Sequence, residues 1–135
     1  MAKYKQIYID IYKRNVFIFI GTHRDFKRWV EDEFKDDEDY DNFINYVITQ
    51  ESKNPDGTFW YNPGIGEGII ELRKFPKAPT EIAVAAHECL HAVFHMLDFC
   101  GVEYNINSSG ESHTYMLEFI LRELLNLKDY KTYDA

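Results

Sequence analysis

The chain has 135 residues and a formal net charge of −8. Its hydrophobic fraction of 45%, with aromatics at 16%, is enough for a packed core and argues against disorder over most of the length. An acidic chain is repelled by phosphate backbones and anionic lipid head groups, which excludes nucleic acid and membrane surfaces as its main partners.

The residues from Tyr4 to Tyr12 alternate, with Ile7, Ile9 and Ile11 on one face, and predict a half-buried strand. After the polar break Lys13-Arg14-Asn15, the run Val16-Phe17-Ile18-Phe19-Ile20 is β-branched and aromatic throughout and predicts a buried strand. Gly21-Thr22 ends it. Thr22 and Asp25 have N-cap spacing, and Phe26, Trp29, Val30 and Phe34 give a helical stripe. Lys35-Asp36-Asp37-Glu38-Asp39 reads as a solvated loop or helix start, because no glycine sits where a calcium loop needs its sharp turn. Tyr40, Phe43, Ile44, Val47 and Ile48 predict a second helix.

Asn54-Pro55-Asp56-Gly57 is a turn, Thr58–Tyr61 a short strand and Asn62–Gly66 a second turn. A fourth strand is expected over Glu67–Lys74, closed by Pro76 and Pro79, with Thr80 placed to cap the next helix. Ile82, Ala85, Ala86, Cys89, Val93, Met96 and Leu97 mark the buried face of that long helix, which Gly101 stops. A last helix is expected from Gly110 to Leu127, with Leu117, Ile120, Leu121, Leu124 and Leu125 inward. The sum is a single α+β domain over residues 1–135 with a small, mostly antiparallel sheet. No run approaches the ~20 apolar residues of a membrane span, and the N-terminus does not read as a signal peptide. Cys89 and Cys100 sit on one helix and its end, ~16 Å apart at 1.5 Å per residue. That exceeds the ~7 Å limit of a disulfide, so free thiols and a cytoplasmic location are expected.

The chemistry lies in His87-Glu88-Cys89-Leu90-His91. Histidines four residues apart share one helix face, where two imidazoles bind one zinc ion at ~2.0–2.1 Å. Glu88, rotated ~100° around the helix, is placed as general base for a metal-activated water rather than as a ligand. A catalytic site needs a third protein ligand and an open position, and the candidates are His95, Glu111, His113 and Glu118. His95 lies ~12 Å along the axis from His87, too far for the same ion. The longer motif is absent too, because Phe94 stands where its glycine would be and Leu97 where its third histidine would be. Glu111 and His113, at the start of the last helix, remain as alternatives. Ser108-Ser109-Gly110-Glu111 also reads as a capping box, which would occupy Glu111 with backbone. Tyr115, one turn after Glu111, is a candidate catalytic donor to an oxyanion, with core packing as its other reading.

From Glu71 to Glu123 the chain resembles a group of small phage and prophage zinc metallopeptidases of the zincin-like, His-Glu-x-x-His type. The residues that carry it are Ile70-Glu71-Leu72, the run Ile82 to Ala92 around the motif, Leu97-Asp98 with Gly101-Val102, and Glu111 to Met116. The resemblance implies a sheet packed on the active-site helix and the helix after it, with His87, His91 and Glu111 as zinc ligands and Glu88 as base. It favours Glu111 over His113. It also implies an edge strand, around Glu67–Lys74, that pairs with an extended substrate. Peptide deformylases share the five-residue motif, but their upstream glycine- and cysteine-containing motifs are missing.

The function expected is a zinc-dependent hydrolase, a metallopeptidase acting on a peptide or protein substrate, in the host cytoplasm if phage-encoded. Two alternatives differ in kind. One is a non-catalytic zincin-like module that grips a host or phage protein. The other is a structural zinc domain, closed by Glu111 and His113 together.

Overall fold

The computed structural model describes residues 1–51, 54–108 and 110–134. Strand β1 (Ala2–Ile9) pairs antiparallel with β2 (Arg14–Ile20). Ile11 does not share the buried face of Ile7 and Ile9: it lies in the hairpin turn and is 80% exposed. The chain has already turned there, with the Tyr12 N–H donating to the Ile9 carbonyl at 3.3 Å. Helix α1 (His23–Phe34) begins at Thr22, whose hydroxyl accepts from the Asp25 N–H at 3.1 Å. A one-turn 3-10 helix (Glu38–Tyr40) carries the exposed acidic run into α2 (Asp41–Thr49).

Strand β3 (Gly57–Asn62) then folds back on β4 (Glu67–Leu72) as an antiparallel hairpin, and β4 pairs in parallel with β2. This places β4 inside the sheet, so the strand around Glu67–Lys74 is not the free edge expected of it. Its Ile69-Ile70 pair is fully buried, and its backbone is engaged on both sides. The free edge on this side is β3.

Helix α3 (Pro79–Phe99) starts one residue before the predicted cap. Proline at the first helical position loses no hydrogen bond, because that N–H has no partner within a helix. Thr80 is therefore inside the first turn, and Glu81 does the capping: its carboxylate accepts from the N–H groups of Lys77 and Ala78. These contacts, with the Lys74 ion pair first among them, hold the Glu81 carboxyl down at about 2. At the other end Val102 N–H reaches Leu97 O at 2.8 Å and Gly101 N–H reaches Asp98 O at 3.0 Å. That pair of hydrogen bonds requires a left-handed residue, and Gly101 supplies it at φ 79°.

Helix α4 (Gly110–Leu125) packs on α3 and ends two residues before the predicted Leu127. Short strand β5 (Lys131–Tyr133), which the sequence pattern does not announce, pairs with β1 and completes the order β3-β4-β2-β1-β5. The sheet is mixed, with one parallel pair among four.

Both faces of the sheet are covered, which explains the uninterrupted apolar run in β2. Phe17, Phe19, Trp60 and Ile69 face α1 and α2 in an aromatic layer around Trp29. Val16, Ile18, Ile20, Ile70 and Leu72 face α3 and α4. No described helix is long and apolar enough to cross a membrane, and Cys89 and Cys100 are free thiols.

One buried cation ties the C-terminal end of α4 to the sheet. Lys5 is 4% exposed, and its Nζ donates to the carbonyls of Glu123 at 2.7 Å and Asn126 at 3.0 Å. A cation there satisfies helix-terminal carbonyls and complements the helix dipole. Lys5→Met keeps the apolar stem and removes the donors. It is expected to cost about 1.5–3 kcal/mol, the worth of hydrogen bonds to a charged group. Urea titration should show a lower midpoint with an unchanged slope.

Candidate metal centre

The capped start of α3 and its glycine stop make the five-residue motif a regular helix over its whole length, so the four-residue spacing becomes one turn on one face. His87 and His91 sit on the exposed side of that helix. Their Nε2 atoms are 3.1 Å apart. Two nitrogens each ~2.05 Å from one tetrahedral ion stand ~3.3 Å apart, so the pair is spaced for zinc. Two neutral imidazoles at that distance can share only one proton between two lone pairs; a common cation satisfies both.

Glu88 lies beside them on the side toward β3 and is 4% exposed. Its Oε1 lies 3.7 Å from His87 Nε2. One ligand atom from each of the three residues falls within 4.8 Å of the others, and no other such group of three occurs among the described residues. Burial pushes the Glu88 carboxyl above its ordinary value; His91, His87 and the backbone N–H of Phe59 pull it back. A carboxylate raised in this way is a better proton acceptor for a reaction near neutral pH. Cys89, inside the motif, is completely buried, and burial drives its thiol up to about 12. It is an inert packing residue rather than a ligand or nucleophile.

A cleft of about 320 Å³ lies between this face of α3 and β3, lined by Gly57, Phe59, Tyr61, Glu88, His91 and His95 among others. Gly57 permits the close approach: a Cβ there would stand 2.9 Å from Leu72 Cδ2 and 3.0 Å from Val84 Cγ1. The ring of His95 packs on Tyr61 at 4.4 Å and Phe59 at 5.7 Å. Burial, reinforced by His91, pushes its pKa down. His95 is thus a neutral aromatic wall of the cleft, one turn beyond the histidine pair.

The start of α4 does not join the three-residue group. Glu111 is exposed in the first turn, and its carboxylate makes no hydrogen bond or ion pair with another described residue. Ser109 of the proposed capping box lies outside the described residues, and the Ser108 N–H donates to the Asn105 carbonyl at 3.1 Å. His113 is 4% exposed and packs against Phe94 and Tyr104 with ring centroids 5.3 and 5.1 Å away. Tyr115 is 65% exposed and lines a separate groove with Tyr8, Ile11 and Phe119.

Sequence reasoning missed the part that β3 plays. Its alternation places Phe59 and Tyr61 on one face, but which strand is outermost depends on pairing between distant segments. No protein-family model, curated protein or solved structure matches the chain, so the chemistry of the site stands on the geometry of its own residues.

Proposed function

We propose that the protein is a zinc-dependent hydrolase of the zincin-like kind, a metallopeptidase that cleaves a peptide bond. The observation that carries this is the 3.1 Å separation of the His87 and His91 Nε2 atoms beside a buried carboxylate with a raised pKa. Glu111 is the third ligand in this reading, as the resemblance implies: its carboxylate stands outside the three-residue group and would have to turn toward the histidine pair, but it is solvent-facing and uncommitted, whereas His113 would have to leave its place between Phe94 and Tyr104. Bound zinc supplies Lewis acidity and brings water ionisation within reach of neutral pH.

The chain's own residues do the rest. Glu88 accepts the proton of the attacking water at a carboxylate oxygen and returns it to the leaving amine nitrogen. Its burial keeps bulk water from competing for that proton. The backbone N–H of Phe59 faces the carboxylate and orients it toward the cleft. By strand alternation the backbone groups of Phe59 and Tyr61 look away from β4; with the Phe59 N–H turned to Glu88, the Phe59 carbonyl and the Tyr61 amide are left on a free edge where an extended peptide can pair.

Elemental analysis of protein purified without chelators tests the site. Wild type is expected to carry about one zinc per chain, and His87→Ala/His91→Ala almost none. Glu111→Ala is expected to weaken zinc binding by more than the roughly 10–100-fold typical of an outer-shell partner. His113→Ala is expected to change stability more than zinc affinity. Zinc absent from wild type and not taken up on addition would sink the reading.

A further inference from the structure

Beyond Tyr61 the free edge of β3 enters a second cavity, of about 580 Å³, between the strand and α2. Phe59 and Tyr61 line both this cavity and the cleft beside the histidines, so the two are joined along one strand edge. From Gly57, beside Glu88, to Asn62, at the far cavity, the strand covers about 17 Å at ~3.3 Å per residue. That is the length of five or six residues of extended chain.

The far cavity has its own chemistry. Glu38 and Asp39 stand at its wall, both exposed and neither paired with a cation among the described residues. Tyr46, 54% exposed, stands nearly edge-on to Trp60 at 6.0 Å and turns the rest of its ring to the cavity. Carboxylates beside aromatic faces attract a cation twice over, by charge and by the ring quadrupole. The cleft beside the histidines offers an apolar wall instead, the stacked rings of Phe59, Tyr61 and His95.

We infer that the substrate is an extended peptide segment with a lysine or arginine side chain seated between α2 and β3. Its backbone lies along the edge of β3, and its basic side chain meets Glu38, Asp39 and Tyr46 within about six residues of the bond beside Glu88. This rests on the hydrolase reading for the bond that is cut, but the binding itself needs no metal.

Fluorescence anisotropy on zinc-free protein tests it with a fluorescein-labelled octapeptide of alternating threonine and arginine. A threonine–glutamate octapeptide is the comparison. The arginine peptide is expected to bind, and to lose about tenfold in affinity in Glu38→Gln/Asp39→Asn and severalfold in Tyr46→Ala. Glu31→Gln/Glu33→Gln, which removes the same charge from the exposed face of α1, is expected to leave affinity within about twofold. Equal losses in the two double variants would show attraction to net charge alone and overturn the inference. So would no binding of the arginine peptide, or equal binding of the glutamate peptide. Because the measurement is made without zinc, its outcome is independent of whether the histidine pair is a hydrolytic centre.

Discussion

Glutamine at position 88 is expected to lower peptide hydrolysis by roughly 10²–10⁴-fold, the contribution of a positioned general base. Zinc content should stay at the wild-type level. The two expectations separate because of where the atoms are. His87 and His91 present their nitrogens on the exposed side of α3, while Glu88 is folded against β3. Glutamine has the same shape, and its amide oxygen can still face the Phe59 N–H, but it cannot take a proton from water. The measurement is cleavage of a defined peptide mixture followed by mass spectrometry. Wild type, Glu88→Gln and His87→Ala are run side by side. His87→Ala should lose both zinc and cleavage. A Glu88→Gln protein as fast as wild type would remove Glu88 from the chemistry. Wild type that holds zinc and cuts nothing would replace the hydrolase with the binding-scaffold alternative.

The elements that local pattern specifies were legible in the sequence. Thr22 and Asp25 mark the start of α1 by a hydrogen bond that needs only three residues of chain. Gly101 marks the end of α3 because few other residues adopt its left-handed backbone. The histidine pair was legible for the same reason: four residues on a helix is one turn wherever the helix sits. What depends on distant pairing was not. β5 is three residues long, and Lys131-Thr132-Tyr133 becomes a strand only because the edge of β1 is there to receive it. The parallel contact of β2 with β4 makes β3 the outer strand, and nothing within Glu67–Leu72 announces that. The burial of His113 had a readable signal. His113, Met116, Ile120 and Leu124 form an inward stripe at helical spacing, one turn longer than a stripe that begins at Leu117.

Glu71→Ala is expected to cost about 3–5 kcal/mol of stability, the penalty for breaking a buried ion pair from one side. Glu71 is completely buried on the sheet face opposite the histidines, among the aromatic residues of α1 and β3. Its Oε1 accepts from Trp60 Nε1 at 2.9 Å. Its Oε2 meets His23 Nδ1 at 2.9 Å and the guanidinium of Arg73 in a close ion pair. One carboxylate thus joins β3, β4 and the first residue of α1. Without it the Trp60 N–H is buried with no acceptor, and Arg73, with only 27% of its side chain exposed, loses its counter-ion while largely covered. Glu71→Gln keeps an acceptor for Trp60 but not the charge, and should fall between the two. A double-mutant cycle with Arg73→Ala, read by urea titration, separates the ion pair from the tryptophan bond. A loss below about 1 kcal/mol in Glu71→Ala would mean that solvent or a neighbour replaces the carboxylate at no cost. Because β4 separates this network from the face that carries Glu88, folded Glu71→Ala protein should bind zinc as tightly as wild type. Zinc affinity that fell together with stability would instead show that the two faces of the sheet are coupled through β3.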